Sequence, residues 1–399
     1  MGVRYGLAFF YLLEFEQNVR SYRLYNIQDI RQEKRRWEIH HFITANLYRM
    51  NLLKQVLGID VSQKELVVSL GKMNADLSID LYAKRIFANK ETGFKALVKW
   101  VDKLTSDEIA VHYVMEATGV YHQKFAYFLD DEKHPLSIVL PNKISSYMRT
   151  LDNKTITDST CADAIAQFGL ERKLDRWKRP NIIYKRIQQL TRERSQVVDE
   201  RVIAKCQLHA ENTEVQPNAN SIKRLKARIK FLSQQEKEIK QDIEKCIKED
   251  CSIEKNIENL TSIPGIGRLT AAIVLAETNG FELIRNKKQL TSYAGLDVRE
   301  KQSGTSVKGK PRISKKGNRN LRKSMYLPAL TAVKHIQDYK ELYARLVSKS
   351  GIKMKGLVAV QRKLLELTYI LFKNGTSFQN DYKQGKSAAT KADTLLKLA

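Results

Sequence analysis

Strand-forming sequence in this chain is confined to one stretch, and that confinement limits the available folds more than any other feature. Val56-Leu57-Gly58-Ile59-Asp60 and Leu66-Val67-Val68-Ser69-Leu70 are β-rich runs separated by a short polar turn at Ser62-Gln63-Lys64, and Lys84 to Ala88 makes a third. Glu91 to Leu104 then sets Phe94, Leu97, Val98 and Val101 at helical spacing. Ile109 to Met115 is β-rich again and ends at Glu116. After Thr118-Gly119 the pattern predicts a helix over Tyr121 to Leu129, a strand over Ser137 to Leu140, and another helix behind Pro141-Asn142.

The order β-β-β-α-β-α-β-α is that of the α/β ribonuclease-H-like fold, a mixed sheet flanked by helices, expected over residues 50–180. From about Asn181 to Asn256 the chain is charged and helical. Ile222, Leu225, Ile229, Leu232, Ile239, Ile243 and Cys246 keep a heptad register with one polar interruption at Glu236. Pro217 to Asn220 splits this region, so residues 181–256 read as an antiparallel helical arm or coiled coil that packs or dimerises. After Glu258 the texture changes: Pro264-Gly265-Ile266-Gly267 leads into the apolar helix Leu269 to Glu277. Residues 257–375 are expected to form a mostly α-helical domain with a helix-hairpin-helix motif, and 376–399 a loose tail. Met1 to Arg49 has no clean period, and Met50 reads like the start of a folded domain. Residues 1–49 are therefore expected to be a non-native or disordered leader.

Charge narrows the partners. The 399 residues carry 70 Lys and Arg against 44 Asp and Glu, a formal charge of +26, which suits a polyanion partner better than a free-standing metabolic role. Hydrophobic content of 42% excludes a mainly disordered basic tail. No apolar run reaches the roughly 18 residues needed to cross a bilayer, so no membrane partner is expected. Gly6 to Leu13 is followed by acids and makes no signal peptide. Cys161, Cys206, Cys246 and Cys251 form no C-x-x-C pair, which fits a reducing cytoplasm; with the polyanion partner that the charge suggests, a cytoplasmic, nucleoid-associated location is expected. Nine of the cations fall between Lys301 and Lys323 with no acid among them; of these Lys308, Lys310, Arg312, Lys315, Lys316, Arg319 and Arg322 are candidate nucleic-acid contacts. Ser303 and Ser306 lie among these cations, which would stabilise both an alkoxide and a pentacovalent phosphate. Serines in basic loops more commonly bond solvent or phosphate, and both readings stand. Gly265 and Gly267 would let backbone amides approach a phosphate at a helix N-terminus, or simply form a turn between core helices.

Asp60 ends the first expected strand and Glu116 the fourth, neighbouring positions in a ribonuclease-H-like sheet. Asp158, opening the expected helix Asp158 to Leu170, is a third acid within reach. Hard oxygen donors gathered this way suit Mg²⁺, which polarises a phosphodiester and activates an attacking oxygen.

Seven ordered motifs carry a resemblance. Gly58-Ile59-Asp60-Val61-Ser62, Glu116-Ala117-Thr118-Gly119-Val120-Tyr121, and Thr157-Asp158 followed by Ala164-Ile165-Ala166-Gln167-Phe168 come first. Then come Ile263-Pro264-Gly265-Ile266-Gly267, Tyr293-Ala294-Gly295-Leu296, Gln302-Ser303-Gly304 and Lys316-Gly317-Asn318-Arg319-Asn320-Leu321-Arg322. From Met50 to Gly375 the chain resembles the IS110-family transposases of insertion sequences. The resemblance implies a RuvC-like domain with a DEDD acid set, a coiled-coil arm, and a C-terminal domain with a serine nucleophile at Ser303. It implies recombination of element-end and target DNA through a covalent serine–DNA intermediate, guided by an element-encoded RNA. The active site would be completed between protomers, in a dimer or tetramer joined through the arm.

One position departs from the family pattern, which reads Thr-Asp-x-x-Asp-Ala: Cys161 stands where the fourth acid belongs. A thiol is a poor Mg²⁺ ligand. Asp163 is the substitute candidate, although two residues turn a helix by about 200° and would face it away. Otherwise three acids suffice or the copy is inactive. The competing functions are a RuvC-like structure-specific nuclease and a catalytically decayed nucleic-acid-binding relative.

Overall fold

The computed structural model describes residues 52–379, other than 107, 118, 152–154, 283, 301, 304–306 and 310. The expected leader, residues 380–399 of the expected tail, and Thr118, Lys301, Gly304, Ser306 and Lys310 lie outside the described residues. The chain divides into two compact units, one ending at Arg179 and the other beginning at Pro180.

In the first unit, strands β1 (Leu52–Val61), β2 (Glu65–Asn74) and β3 (Ile79–Ala88) form an antiparallel meander. Its first turn closes where Ser62 Oγ both donates to the Glu65 carbonyl and accepts from the Glu65 N–H, at 3.1 and 3.0 Å. Helix α1 (Glu91–Leu104) returns the chain to β4 (His112–Glu116). Then follow α2 (Gln123–Asp131), β5 (Leu136–Val139), α3 (Pro141–Met148) and α4 (Asp158–Glu171). The sheet order is β3-β2-β1-β4-β5, with β1–β4 and β4–β5 parallel. This mixed sheet covered by helices fits the ribonuclease-H-like domain read from the sequence. β3 begins five residues before the expected strand, because Ile79, Leu81 and Ala83 alternate with more exposed residues as an edge strand does.

Alternation on the central strands sorts side chains between two cores. Leu57, Ile59, Tyr113 and Met115 pack with Phe94, Leu97 and Phe125 of α1 and α2, while Val56, Val114 and Val139 pack with Ile144 of α3 and Ile165 of α4. Asp60 and Glu116 have the parity of Val56 and Val114, so the pleat points both toward the face that α4 covers. Gly58 is what lets α4 come down on β1: a Cβ there would lie 2.2 Å from the Ala166 nitrogen and 2.4 Å from the Ala162 oxygen. Thr157 and Thr160 form a capping box at the N-terminus of α4, and Lys54 Nζ donates to the Gly169 and Arg172 carbonyls at its other end.

The second unit opens with two long helices, α5 (Ile182–Thr213) and α6 (Ala219–Lys248), each started by an asparagine cap, Asn181 and Asn218. They lie antiparallel against each other, joined by ion pairs from Arg186 to Glu249 and from Arg194 and Arg201 to Glu236. Of the heptad positions, Leu232, Ile239, Ile243 and Cys246 are buried, and Ile222, Leu225 and Ile229 half-buried. The polar interruption is buried too: burial presses the Glu236 carboxyl toward neutrality, but Lys240 and Arg194 outweigh it and hold its pKa near 2.

Helices α7 (Cys251–Thr261) and α8 (Arg268–Thr278) flank the Pro-Gly-Ile-Gly turn, followed by α9 (Lys287–Tyr293). Residues 298–313 then form two short antiparallel ribbons, β6 (Val298–Arg299) with β9 (Arg312–Ile313), and between them β7 (Gln302–Ser303) with β8 (Val307–Lys308). The remainder is α10 (Arg319–Ser324), α11 (Tyr326–His335), α12 (Gln337–Ser350) and α13 (Lys353–Asn374), sharing one core with α5 to α9. The start of the expected loose tail is held: Phe378 packs against this core and its N–H donates to Ser262 Oγ at 2.7 Å. No described helix is long and apolar enough to cross a membrane.

Candidate catalytic acids and serine ribbon

Three carboxylates expected to act together are electrostatic neighbours in the first unit. Burial raises the Asp60 pKa most, the charges of Asp158 and Glu116 raise it further, and the result is about 6 despite a hydrogen bond from the Val61 backbone. Asp60 and Glu116 come from adjacent parallel strands, one step beyond the pair Ile59 and Met115. Asp158 comes from the first turn of α4, where the helix dipole favours a carboxylate.

Cys161 shares this neighbourhood. It lies three residues beyond Asp158, hence on the same side of α4. Burial raises its pKa, and the charges of Asp60, Glu116 and Asp158 raise it further. Asp163 does not join them. Its carboxylate accepts from Lys84 Nζ at 2.5 Å and Ser69 Oγ at 2.7 Å, facing β2 and β3 as the helical rotation predicts. As the fourth-acid substitute it is therefore spent on the sheet.

As the side chains lie, no three acids, histidines or cysteines among the described residues are drawn in to metal-holding distances. The donor chemistry nevertheless fits a hard divalent cation. Asp60 meets two like charges in a half-buried place, and a bound cation would relieve that crowding.

Ser303 is exposed, at the end of the inner ribbon and paired with Val307. Lys308 lies on the opposite strand of that ribbon, and Arg312, Lys315, Lys316 and Arg319 are exposed on the segment beyond it. Arg322 has a different environment: it is half-buried and donates to the Ala294 carbonyl at 2.8 Å. Gly265 has φ +96° and sits beneath α11, where a Cβ would lie 2.8 Å from the Pro328 oxygen; Gly267 caps α8 with open space beside it. The first glycine thus serves packing, and the second leaves the helix end uncovered.

The residue missed in the sequence is Glu277. Its side chain is fully buried and accepts from Arg192 Nε and a second guanidinium nitrogen at 2.8 and 2.7 Å, from Asn318 at 2.7 Å and from Asn320 at 3.2 Å. Burial works to raise its pKa, and the hydrogen bonds and charge of Arg192 with the asparagine amides outweigh it, keeping it below the ordinary carboxylate value. The two asparagines of the Lys316-to-Arg322 motif thereby gain a structural role: Asn318 also caps α10.

Residues 57–217 match the DEDD transposase family of IS110 elements, and residues 257–344 match the IS116/IS110/IS902 transposase family. The two matches follow one another along the chain and between them take in both units. The chain belongs to the IS110 family of transposases. It is therefore a DNA transposase, an enzyme. Among curated relatives of this IS110-family chain, the pilin gene-inverting protein of Moraxella bovis is 26% identical over 73% of the chain and 89% of its own length. The transposase for insertion sequence element IS1111A of Coxiella burnetii is 29% identical over 33% of the chain and 36% of its own length. Among solved structures, T. thermophilus RuvC in complex with a Holliday junction substrate is similar at 9% identity and a TM-score of 0.24, over 31% of this chain and 99% of that one.

Proposed function

We propose that this IS110-family transposase cuts and rejoins DNA with two sets of groups: Asp60, Glu116 and Asp158 as a divalent-cation site, and Ser303 as the nucleophile. The carrying observation is the crowding of three carboxylates from three separate elements around Asp60, a cost that a structural role does not explain. Mg²⁺ held by these acids would supply charge neutralisation at a scissile phosphodiester. The Ser303 oxygen forms a bond to phosphorus as the bond to one sugar oxygen breaks; the serine loses its proton and the departing oxygen gains one. A sugar hydroxyl of the partner strand reverses the exchange and frees the serine. Lys308, Lys310, Arg312, Lys315, Lys316 and Arg319 hold the DNA backbone and offset developing charge. Arg322 stiffens the segment beneath them, and Gly267 leaves the α8 amides open to a phosphate.

The family resemblance supports an element-encoded guide RNA and a dimer or tetramer assembled through α5 and α6 as further parts of this reading. The pilin gene-inverting relative supports rejoining rather than cutting alone. Three acids with Cys161 in the fourth place suffice for it.

The test is an adduct assay with labelled element-end DNA and RNA transcribed from the flanking noncoding DNA. A covalent protein–DNA band should form and disappear in Ser303→Ala, in Asp60→Ala and when RNA is omitted. Persistent hydrolysis by Ser303→Ala, with no adduct from the unaltered chain, would instead make this a nuclease.

A further inference from the structure

A cavity of about 840 Å³ lies within the second unit, walled by α5, α8, α10, α11 and α13. One part of its lining is apolar, including Leu269, Ile273, Leu327 and Val358, and another is cationic. Most of those cations are already engaged. Arg192 is held by Glu277, Arg194 by Glu236, Lys323 by Asp199, and Arg322 by the Ala294 carbonyl. Lys315 and Arg319 have no carboxylate partner among the described residues. The fourth ingredient is Gln361, 4% exposed on α13, which lines the cavity and has no hydrogen-bond partner among the described residues. Its amide keeps access to the cavity space, and on the same lining the buried Nε of Arg194 is a donor without a partner, which is costly unless something supplies the complement.

These features describe the ligand: an apolar body, an edge with both donors and acceptors, and an attached anion. We propose that the cavity receives an unpaired nucleotide of single-stranded DNA, with the base against Leu269, Ile273 and Leu327, its edge read by Gln361, and its phosphate near Lys315 and Arg319. The volume lies within the range of pockets that enclose small ligands. A base stacked in duplex cannot enter such a recess, whereas an extruded or unpaired one can. Amide side chains are natural readers of base edges. DNA is the chosen source because it is the substrate of the enzyme family. This inference rests on the proposed reading that the chain handles DNA, and it adds that part of the substrate is held single-stranded.

The experiment measures anisotropy of the full chain with a fluorescent deoxyoligonucleotide, the same strand in duplex, and an RNA strand of equal sequence. Two variants are used: Gln361→Leu, and Leu327→Glu, which places a carboxylate at the cavity on a side chain 69% exposed and so outside the packed core. Each should lower the ratio of single-strand to duplex affinity at least about fivefold, the lower end for loss of a base-edge contact. An unchanged ratio in both variants, or tighter binding of the RNA than of the DNA strand, overturns the inference. If the unaltered chain binds duplex but no single strand, this inference fails alone; if it binds neither, the functional reading fails with it.

Discussion

Asp60 and Glu277 are carboxylates withdrawn from bulk water in different units, and their surroundings treat them in opposite ways. Glu277 is matched by Arg192 on one side and two asparagine amides on the other, and its pKa is lowered in spite of complete burial. Asp60 is given two further carboxylates and a pKa near 6. A folded chain that satisfies one buried acid so fully has the means to satisfy another. Asp60 among like charges is the arrangement that the proposed divalent cation would balance. Glu236 falls on the Glu277 side of this divide, with Arg194, Arg201 and Lys240 around it.

The contrast breaks most readily at Glu277. Glu277→Ala should destabilise the second unit by about 3–5 kcal/mol, because it leaves a guanidinium and two amides facing an empty place. Denaturant unfolding would measure it, and a change below about 1 kcal/mol would remove Glu277 from the structural class. Next comes the acid dependence of Glu236. Its folded pKa of about 2 lies below that of an unfolded glutamate, so its contribution is fully present above the unfolded value and is lost as pH falls toward about 2. The stability gap between the unaltered chain and Glu236→Gln should reach up to about 3 kcal/mol near neutrality and close through that acid window. The smallest effect has the opposite sign. Asp60→Asn should raise the melting temperature of metal-free protein by about 2–4 °C, equivalent to about 1 kcal/mol after allowing for solvent screening. Added Mg²⁺ should stabilise the unaltered chain and not this variant. Equal stabilisation of both would place the cation elsewhere.

Much of the first unit was legible in the sequence because its signals are local. The helix read over Glu91 to Leu104 has those limits in the structure, and Pro141 begins α3 as its fixed φ favours. Asp60 and Glu116 were legible for the same reason, since period-two alternation on adjacent strands fixes which face an end residue takes. Glu277 was not. Its partners lie 41 to 85 residues away, and an acid at the end of an apolar helix looks no different from a solvated one. The ribbons of residues 298–313 escaped notice because strands of two residues carry no period. Asp163, a candidate fourth acid in the sequence although helical rotation argued against it, is instead held by Ser69 and Lys84, partners that only the register of the meander reveals.

The ribbon that bears Ser303 has a consequence for the timing of events. The inner strands contribute two residues each, far short of what sustains a free hairpin. Strands this short are expected to open independently of the helical core behind them, and hydrogen exchange should find the Gln302 and Ser303 amides among the first of the unit to exchange. If Ser303 is the nucleophile proposed above, being carried in this way would let it change partners between successive strand exchanges while the remainder of the unit stays folded.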